Sequence, residues 1–222
     1  MFVEDAFPPA PLDLKITFIG HATLMLRHGG TVIHVDPVGQ YADYHALPKA
    51  DLVLVTHEHF DHLDAQAIAA IRTPSTVVIA ASKCAGKIPG AIILRNGDSR
   101  AAREIRVEAV PAYNVLHERA PGSPFHPKGD GNGYVLTLGT RKLYIAGDTE
   151  NTREMKGLRG IDIAFLPMNL PYTMTPEMVA EGARAFRPRV LYPYHFGDTD
   201  TDSIRRLLAN EKDIEVRIRA MS

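Results

Sequence analysis

Apolar positions along this chain fall into short runs separated by polar turns, and most runs are too short for helices. Residues 14–19 (LKITFI), 23–26 and 31–35 predict β-strands, the last two joined through Arg27-His28-Gly29-Gly30, a hairpin signal. Further strands are predicted over 51–55 (DLVLV), 75–80, 105–110, 133–138, 142–146, 162–166 and 190–192. Several are apolar throughout, as strands buried on both faces must be. Helices are fewer. Residues 64–72 place Ile68 and Ile71 on one stripe, and Thr175-Pro176-Glu177 opens a helix through 178–186 that Arg187-Pro188 stops. Asp202 is expected to cap a helix over 203–209, with Ile204, Leu207 and Leu208 inward. No repeat and no linker divides the chain. The pattern predicts an α/β (α+β) fold of sheets covered by helices, in a single domain spanning 1–222.

Composition narrows the function. The chain has 222 residues, 25 basic against 26 acidic side chains, ten His and one Cys. A net charge of -1 gives no global reason to bind nucleic acid or an anionic membrane, and no basic run supplies a local one. The lone Cys84 forbids an intramolecular disulfide and reads as a small packing residue. Residues 1–15 carry acids and prolines where a signal peptide needs a basic start and an apolar run. Apolar stretches such as 77–81 are far too short to span a bilayer. A cytoplasmic protein acting on a small molecule is expected, and the sequence does not specify its oligomeric state.

The strand ends carry the chemistry. The strand at 51–55 runs into Thr56-His57-Glu58-His59-Phe60-Asp61-His62, that at 142–146 into Gly147-Asp148-Thr149, and that at 190–192 into Pro193-Tyr194-His195. The strands at 105–110 and 162–166 lead into Tyr113-Asn114 and Met168-Asn169. A rigid core that delivers polar side chains at one rim has the layout of a site. The pair His57 and His59 can chelate one ion, and Asp61 and His62, a turn further on, can reach a second. Asp148 and His195 stand ready to add donors. Zn2+ suits such ligands, one or two ions per chain, with Mn2+ or Fe2+ as alternatives.

Through Thr-His-x-His-x-Asp-His at 56–62, Gly147-Asp148-Thr149 and His195, the chain resembles the metallo-β-lactamase superfamily, from Ile16 onward. Phe18-Ile19-Gly20-His21-Ala22 with Val35-Asp36-Pro37 is similar to the bacterial subgroup of ascorbate-6-phosphate lactonase and the phospholipase D that cleaves N-acyl phosphatidylethanolamines. The resemblance implies a four-layer αββα sandwich, two mixed sheets flanked by helices, with metals at the sheet edges. It implies His57 and His59 on one metal, Asp61, His62 and His195 on the other, and Asp148 between them. Asp36 would stand behind a ligand histidine. His21 would do likewise or face substrate.

One departure matters. The family's further histidine for the first metal belongs where this chain has Asn114. His126, stiffened by Pro124 and Pro127, is the favoured replacement, and His117 is the competitor. With neither, a single-metal enzyme results. The run Lys128-Gly129-Asp130-Gly131-Asn132-Gly133 reads either as an anion loop or as a plain turn into a strand. Asn169 and Tyr172 are expected on a substrate-pocket wall or in a helix-entry loop. The implied activity is metal-dependent hydrolysis of an ester, lactone, amide or phosphodiester, with Asp61 and His195 as the catalytic residues. An iron oxidoreductase of the sulfur dioxygenase type and a degenerate metal-binding module are the alternatives.

Overall fold

The apolar runs fold into two seven-stranded sheets that share one buried interface. The computed structural model describes residues 2–7 and 13–221. In the first sheet β1 (Val3–Phe7), β2 (Leu14–Gly20), β3 (Thr23–His28), β4 (Thr31–Val35), β5 (Leu52–Val55), β6 (Val77–Ala80) and β7 (Ile92–Ile93) lie side by side in chain order. The first four form an antiparallel meander, and β4 to β7 run parallel.

The second sheet follows the same plan. It opens with β8 (Ser99–Ala102) and β9 (Ile105–Ala112), then a small separate hairpin of β10 (Glu118–Ala120) and β11 (Ser123–Pro124) intervenes. β12 (Gly131–Leu138) and β13 (Arg141–Ile145) complete the meander, and β14 (Ile163–Pro167), β15 (Val190–Tyr194) and β16 (Glu215–Val216) add parallel strands. No sequence repeat announces this twofold plan; it exists in strand order alone.

Side-chain alternation builds the layers. Ile16, Phe18, Leu24 and Leu54 of the first sheet meet Val107, Tyr134, Leu136 and Phe165 of the second in the central core. Val53, Val55 and Val78 turn outward onto Ile68 and Ile71 of α1 (Ala65–Ile71). On the far side Val135, Tyr144 and Leu166 pack on Met155 of α2 (Arg153–Lys156), Val179 and Phe186 of α3 (Pro176–Phe186) and Ile204 of α4 (Asp202–Leu207). The result is the expected αββα sandwich. Both faces of the parallel strands are covered, which is why they read as apolar throughout. Each fully buried aliphatic or Phe side chain contributes roughly 1.5–3 kcal/mol.

Local chemistry sets the turns. Gly29 and Gly30 take φ of 53° and 82°, the two left-handed positions that a two-residue hairpin turn needs. Asp64 caps α1 by accepting from the Gln66 and Ala67 amides, and Thr175 caps α3 by accepting from Met178. The last helix departs from expectation. It begins at Asp202, after an N-cap Thr201 without a side-chain cap bond. The Asp200 carboxylate takes the Asp202 amide at 3.0 Å, and Asp202 instead pairs with Arg205 at 2.8 Å. The edge strands β1, β8 and β16 and the short α2 carried no readable pattern, since exposed or very short elements need few apolar positions. Residues 1 and 8–12 of the N-terminal stretch lie outside the described residues. Among the described residues no helix is long and apolar enough to cross a membrane.

Two buried groups illustrate how the interior treats polarity. Cys84 is fully buried beside α1, and burial pushes its thiol up to about 12, so it packs as a small hydrophobe. His34 is fully buried, and burial lowers it to about 4, although its Nε2 lies 3.0 Å from the Pro48 carbonyl, which favours the charged form. A histidine whose folded value is depressed adds stability above its unfolded value near 6.5. That contribution is lost as pH falls from there toward 4. The stability advantage of wild type over His34→Leu therefore shrinks by about 2–3 kcal/mol between about pH 7.5 and pH 4.5, measured by urea denaturation.

Candidate metal centre

Every donor of the centre leaves a strand end or the turn beyond it. After β5, the Thr56 amide and hydroxyl both donate to the Asp36 carboxylate, at 2.8 and 2.6 Å, which fixes the exit of the chain. His57 and His59 follow. The His62 and Leu63 amides both bond the His59 carbonyl, a turn that carries Asp61 and His62 round to a second position before α1. After β13, Gly147 takes φ of 65°, and a Cβ there would lie 2.7 Å from the Asn132 carbonyl, so only glycine lets the chain present Asp148. Asp36, His21 and His195, just past β4, β2 and β15, take φ of 45°, 53° and 44°. Left-handed conformations cost non-glycine residues about 1–3 kcal/mol each and cluster at functional sites.

These residues converge into three overlapping donor groups: His57, His59 and His126; His57, His62 and Asp148; and His21, Asp61, His62 and His195. Asp148 joins the groups. Its Oδ2 lies 3.3 Å from His126 Nε2, 3.5 Å from His195 Nε2 and 3.9 Å from His57 Nε2, and its Oδ1 lies 3.4 Å from His62 Nε2. Asp61 Oδ2 lies 3.1 Å from His21 Nε2, 3.6 Å from His195 Nε2 and 3.7 Å from His62 Nε2.

The donors are prepared for cations. His62 Nδ1 donates to Asp36 at 2.8 Å and His126 Nδ1 to the Asn114 side-chain carbonyl at 2.9 Å. Thr56 Oγ1, its own hydrogen given to Asp36, accepts from His57 Nδ1 at 3.1 Å. These partners hold the outer nitrogen of three imidazoles and aim each Nε2 inward. His62 Nε2, Asp148 Oδ1 and His195 Nε2 are buried without any hydrogen-bond partner. Orphaned donor atoms of this kind cost about 1–3 kcal/mol each unless an ion completes them, so the residues fit a metal centre.

Charge distribution agrees. Burial alone would raise the Asp148 carboxyl, but His195, His62, His126 and His57 hold it well below the usual range. Burial likewise opposes ionisation of Asp61, and the His195, His21 and His62 imidazoles reverse that effect, so Asp61 stays ionised. His57 is driven well below its ordinary value by burial first and by neighbouring histidines second. His62 goes the other way, to about 9: burial lowers it, but Asp148 and Asp36 prevail.

The loop after β9 brings one of the two candidate histidines into the cluster and leaves the other outside. His126 is buried and inside the cluster. His117 is partly exposed, and its Nδ1 is held at 2.6 Å by Glu150, outside all three groups. Asn114, standing where the family histidine was expected, binds both the His126 amide and its ring, while its own Nδ2 donates to the Tyr172 carbonyl and to Glu150. Glu150, which sequence reasoning missed, is buried and accepts the Val115, Leu116 and His117 amides at 2.6, 2.6 and 2.8 Å. Burial tends to raise its carboxyl, and those amides lower it. Asn114→Ala is expected to weaken metal binding by about 10–100-fold with the fold intact, checked by competition with a chromogenic chelator.

A cavity of about 420 Å³ opens onto the cluster at His59, Asp61, His126, Asp148 and His195, and both Asn169 and Tyr172 line it. His21 does not. It sits behind Asp61 with its ring 3.8 Å from that of His195. Within the glycine-rich run Gly131 begins β12, and Lys128 pairs with Glu154 at 2.5 Å while lying over the Tyr113 ring.

Relatives share this arrangement of the chain. Residues 15–195 match the beta-lactamase superfamily domain. A UPF0173 metal-dependent hydrolase of Pelotomaculum thermopropionicum is 31% identical over 193 residues, which cover 82% of this chain and 84% of that protein. The crystal structure of a Parabacteroides distasonis protein assigned as a metal-dependent hydrolase matches with a TM-score of 0.94 and 46% identity over 100% of both chains. CmlA, a diiron β-hydroxylase of Streptomyces venezuelae, has the same fold at a TM-score of 0.72 and 18% identity, covering 96% of this chain and 54% of its own. The chain belongs to the beta-lactamase superfamily, as a relative of the UPF0173 metal-dependent hydrolases.

Proposed function

We propose that this metal-dependent hydrolase is a single domain over 1–222 that holds one or two ions, zinc by expectation, and cleaves an ester, lactone, amide or phosphodiester bond in a small molecule. The observation that carries the reading is the set of buried, unpartnered donor atoms on His62, Asp148 and His195, all turned toward one centre. On this reading His57, His59 and His126 hold one ion, Asp61, His62 and His195 the other, and Asp148 lies between. Imidazole and carboxylate donors without thiolate suit zinc, manganese or iron. Bound there, such ions supply the Lewis acidity that activates water and offsets charge on the scissile oxygen.

The chain's own residues do the rest. Asp61, held ionised and facing the cavity, orients the attacking water and accepts its proton. His195, stacked on His62 with its Nε2 3.6 Å from the Asp61 carboxylate, helps hold that group ionised. The lone buried Cys84 accords with a cytoplasmic location. Purified protein is expected to carry one or two transition-metal ions per chain and to turn over members of an ester, lactone and phosphodiester panel. Metal-free, inert wild type refutes the reading. The diiron chemistry of CmlA on the same fold favours one second reading, an iron oxidoreductase. Expression in iron-rich and zinc-rich media, with oxygen uptake recorded, separates the two.

A further inference from the structure

The cavity over the cluster has a wall whose chemistry the hydrolysis scheme does not use. Phe60, Phe125 and Tyr172 form an aromatic rim, with Phe60 82% exposed and the Phe125 and Tyr172 rings edge to face at 5.1 Å. Arg119 is the cation on this wall, its guanidinium 5.8 Å from the Phe125 ring centre.

Its placement is built into the hairpin. Glu118 pairs with Pro124 and Ala120 with Ser123, so Arg119 is the extra residue of a β-bulge. Bulges beside sites re-aim a side chain. The same hairpin leads directly into Phe125 and His126, which ties the position of Arg119 to that of the cluster. Most other arginines of the chain sit against carboxylates, such as Arg141 on Asp162 or Arg184 on Glu211. Arg119 has no carboxylate within ion-pair distance among the described residues, and its neighbour Glu118 is turned to the Gly122 amide at 2.9 Å. An unpaired guanidinium over an aromatic ring, at the mouth of a cavity, recognises an anion attached to an apolar group.

We infer that the substrate carries a carboxylate or phosphate-type anion beside an aromatic or alkyl moiety, with Arg119 pairing the anion and the aromatic rim covering the moiety. The inference rests on the proposed hydrolytic site. The test uses metal-loaded protein and three phenyl alkanoate esters that differ only at the chain end: carboxylate, phosphonate or neutral methyl ester. Arg119→Ala is expected to lower kcat/KM for a charged ester about tenfold more than for the neutral one, mainly through KM, and Arg119→Lys to retain part of the preference. The charged ester with the larger loss identifies the anion. Equal losses across all three esters overturn the inference. Should loaded wild type cleave none of them, the wider ester, lactone and phosphodiester panel decides the hydrolytic reading, and calorimetry with 4-phenylbutyrate decides the inference. Binding about tenfold weaker in Arg119→Ala upholds it, and equal binding overturns it.

Discussion

Asp61→Asn is expected to lower turnover at least a thousandfold, about 4 kcal/mol of transition-state stabilisation. The amide is nearly isosteric, so packing around the turn is retained. Its chemistry is not. Asp61 Oδ2 has three imidazole nitrogens within 3.7 Å, those of His21, His195 and His62. An amide brings no charge to that cluster and accepts no proton from water. The loss is therefore expected in kcat at saturating metal as well as in metal content. Single-turnover kinetics with metal analysis on the same samples measure both. Wild-type kcat in fully loaded Asp61→Asn protein would remove Asp61 from the mechanism.

Stripping the metal is expected to lower the melting temperature by about 8–16 °C. The magnitude follows from linkage. A ligand present at about a thousand times its Kd stabilises the folded state by about 4 kcal/mol, and each kcal/mol shifts a chain of this size by about 2–4 °C. The physical cause is local. Without cations, Asp148 and its four surrounding histidines must settle their charges among themselves in a buried space, and several of their atoms bond nothing. Calorimetric scans with chelator, then with zinc restored, measure the shift. Asp148→Ala protein should show almost none. An unchanged wild-type melting temperature would mean that these donors hold no ion.

Much of this centre was legible in one dimension because its donors follow buried strands. The spacing of His57, His59, Asp61 and His62 needs only the local geometry of a strand and one turn, so it reads directly. Asp36 and His62 lie 26 positions apart, yet each marks its own strand end; the resemblance implies a ligand histidine in front of Asp36 without naming it, and the contact is with His62. The placing of His126 inside the cluster and of His117 outside it is less local. It turns on Asn114 and on Glu150, whose hydrogen bonds span more than thirty positions and leave no periodic trace. Nothing in the sequence sets Glu150 apart from the other charged residues, and only its burial under the 114–117 loop reveals its work. The edge strand β1 was invisible for the opposite reason. It is mostly exposed, and its pairing with β2, together with the Asp5–Arg219 contact to the chain's far end, is long-range.

The shared plan of the two sheets has a consequence for assembly. On the proposed ligand set, each ion takes donors from both halves: His57, His59, Asp61 and His62 follow β5 in one sheet, while His126, Asp148 and His195 follow β11, β13 and β15 on the side of the other. An ion so held cross-links segments far apart in the chain, from 57 to 126 and from 61 to 195. It acts as a reversible clasp whose benefit lies in the entropy removed from the open chain. Neither half alone presents a complete set, so ion capture reports that the two halves have met.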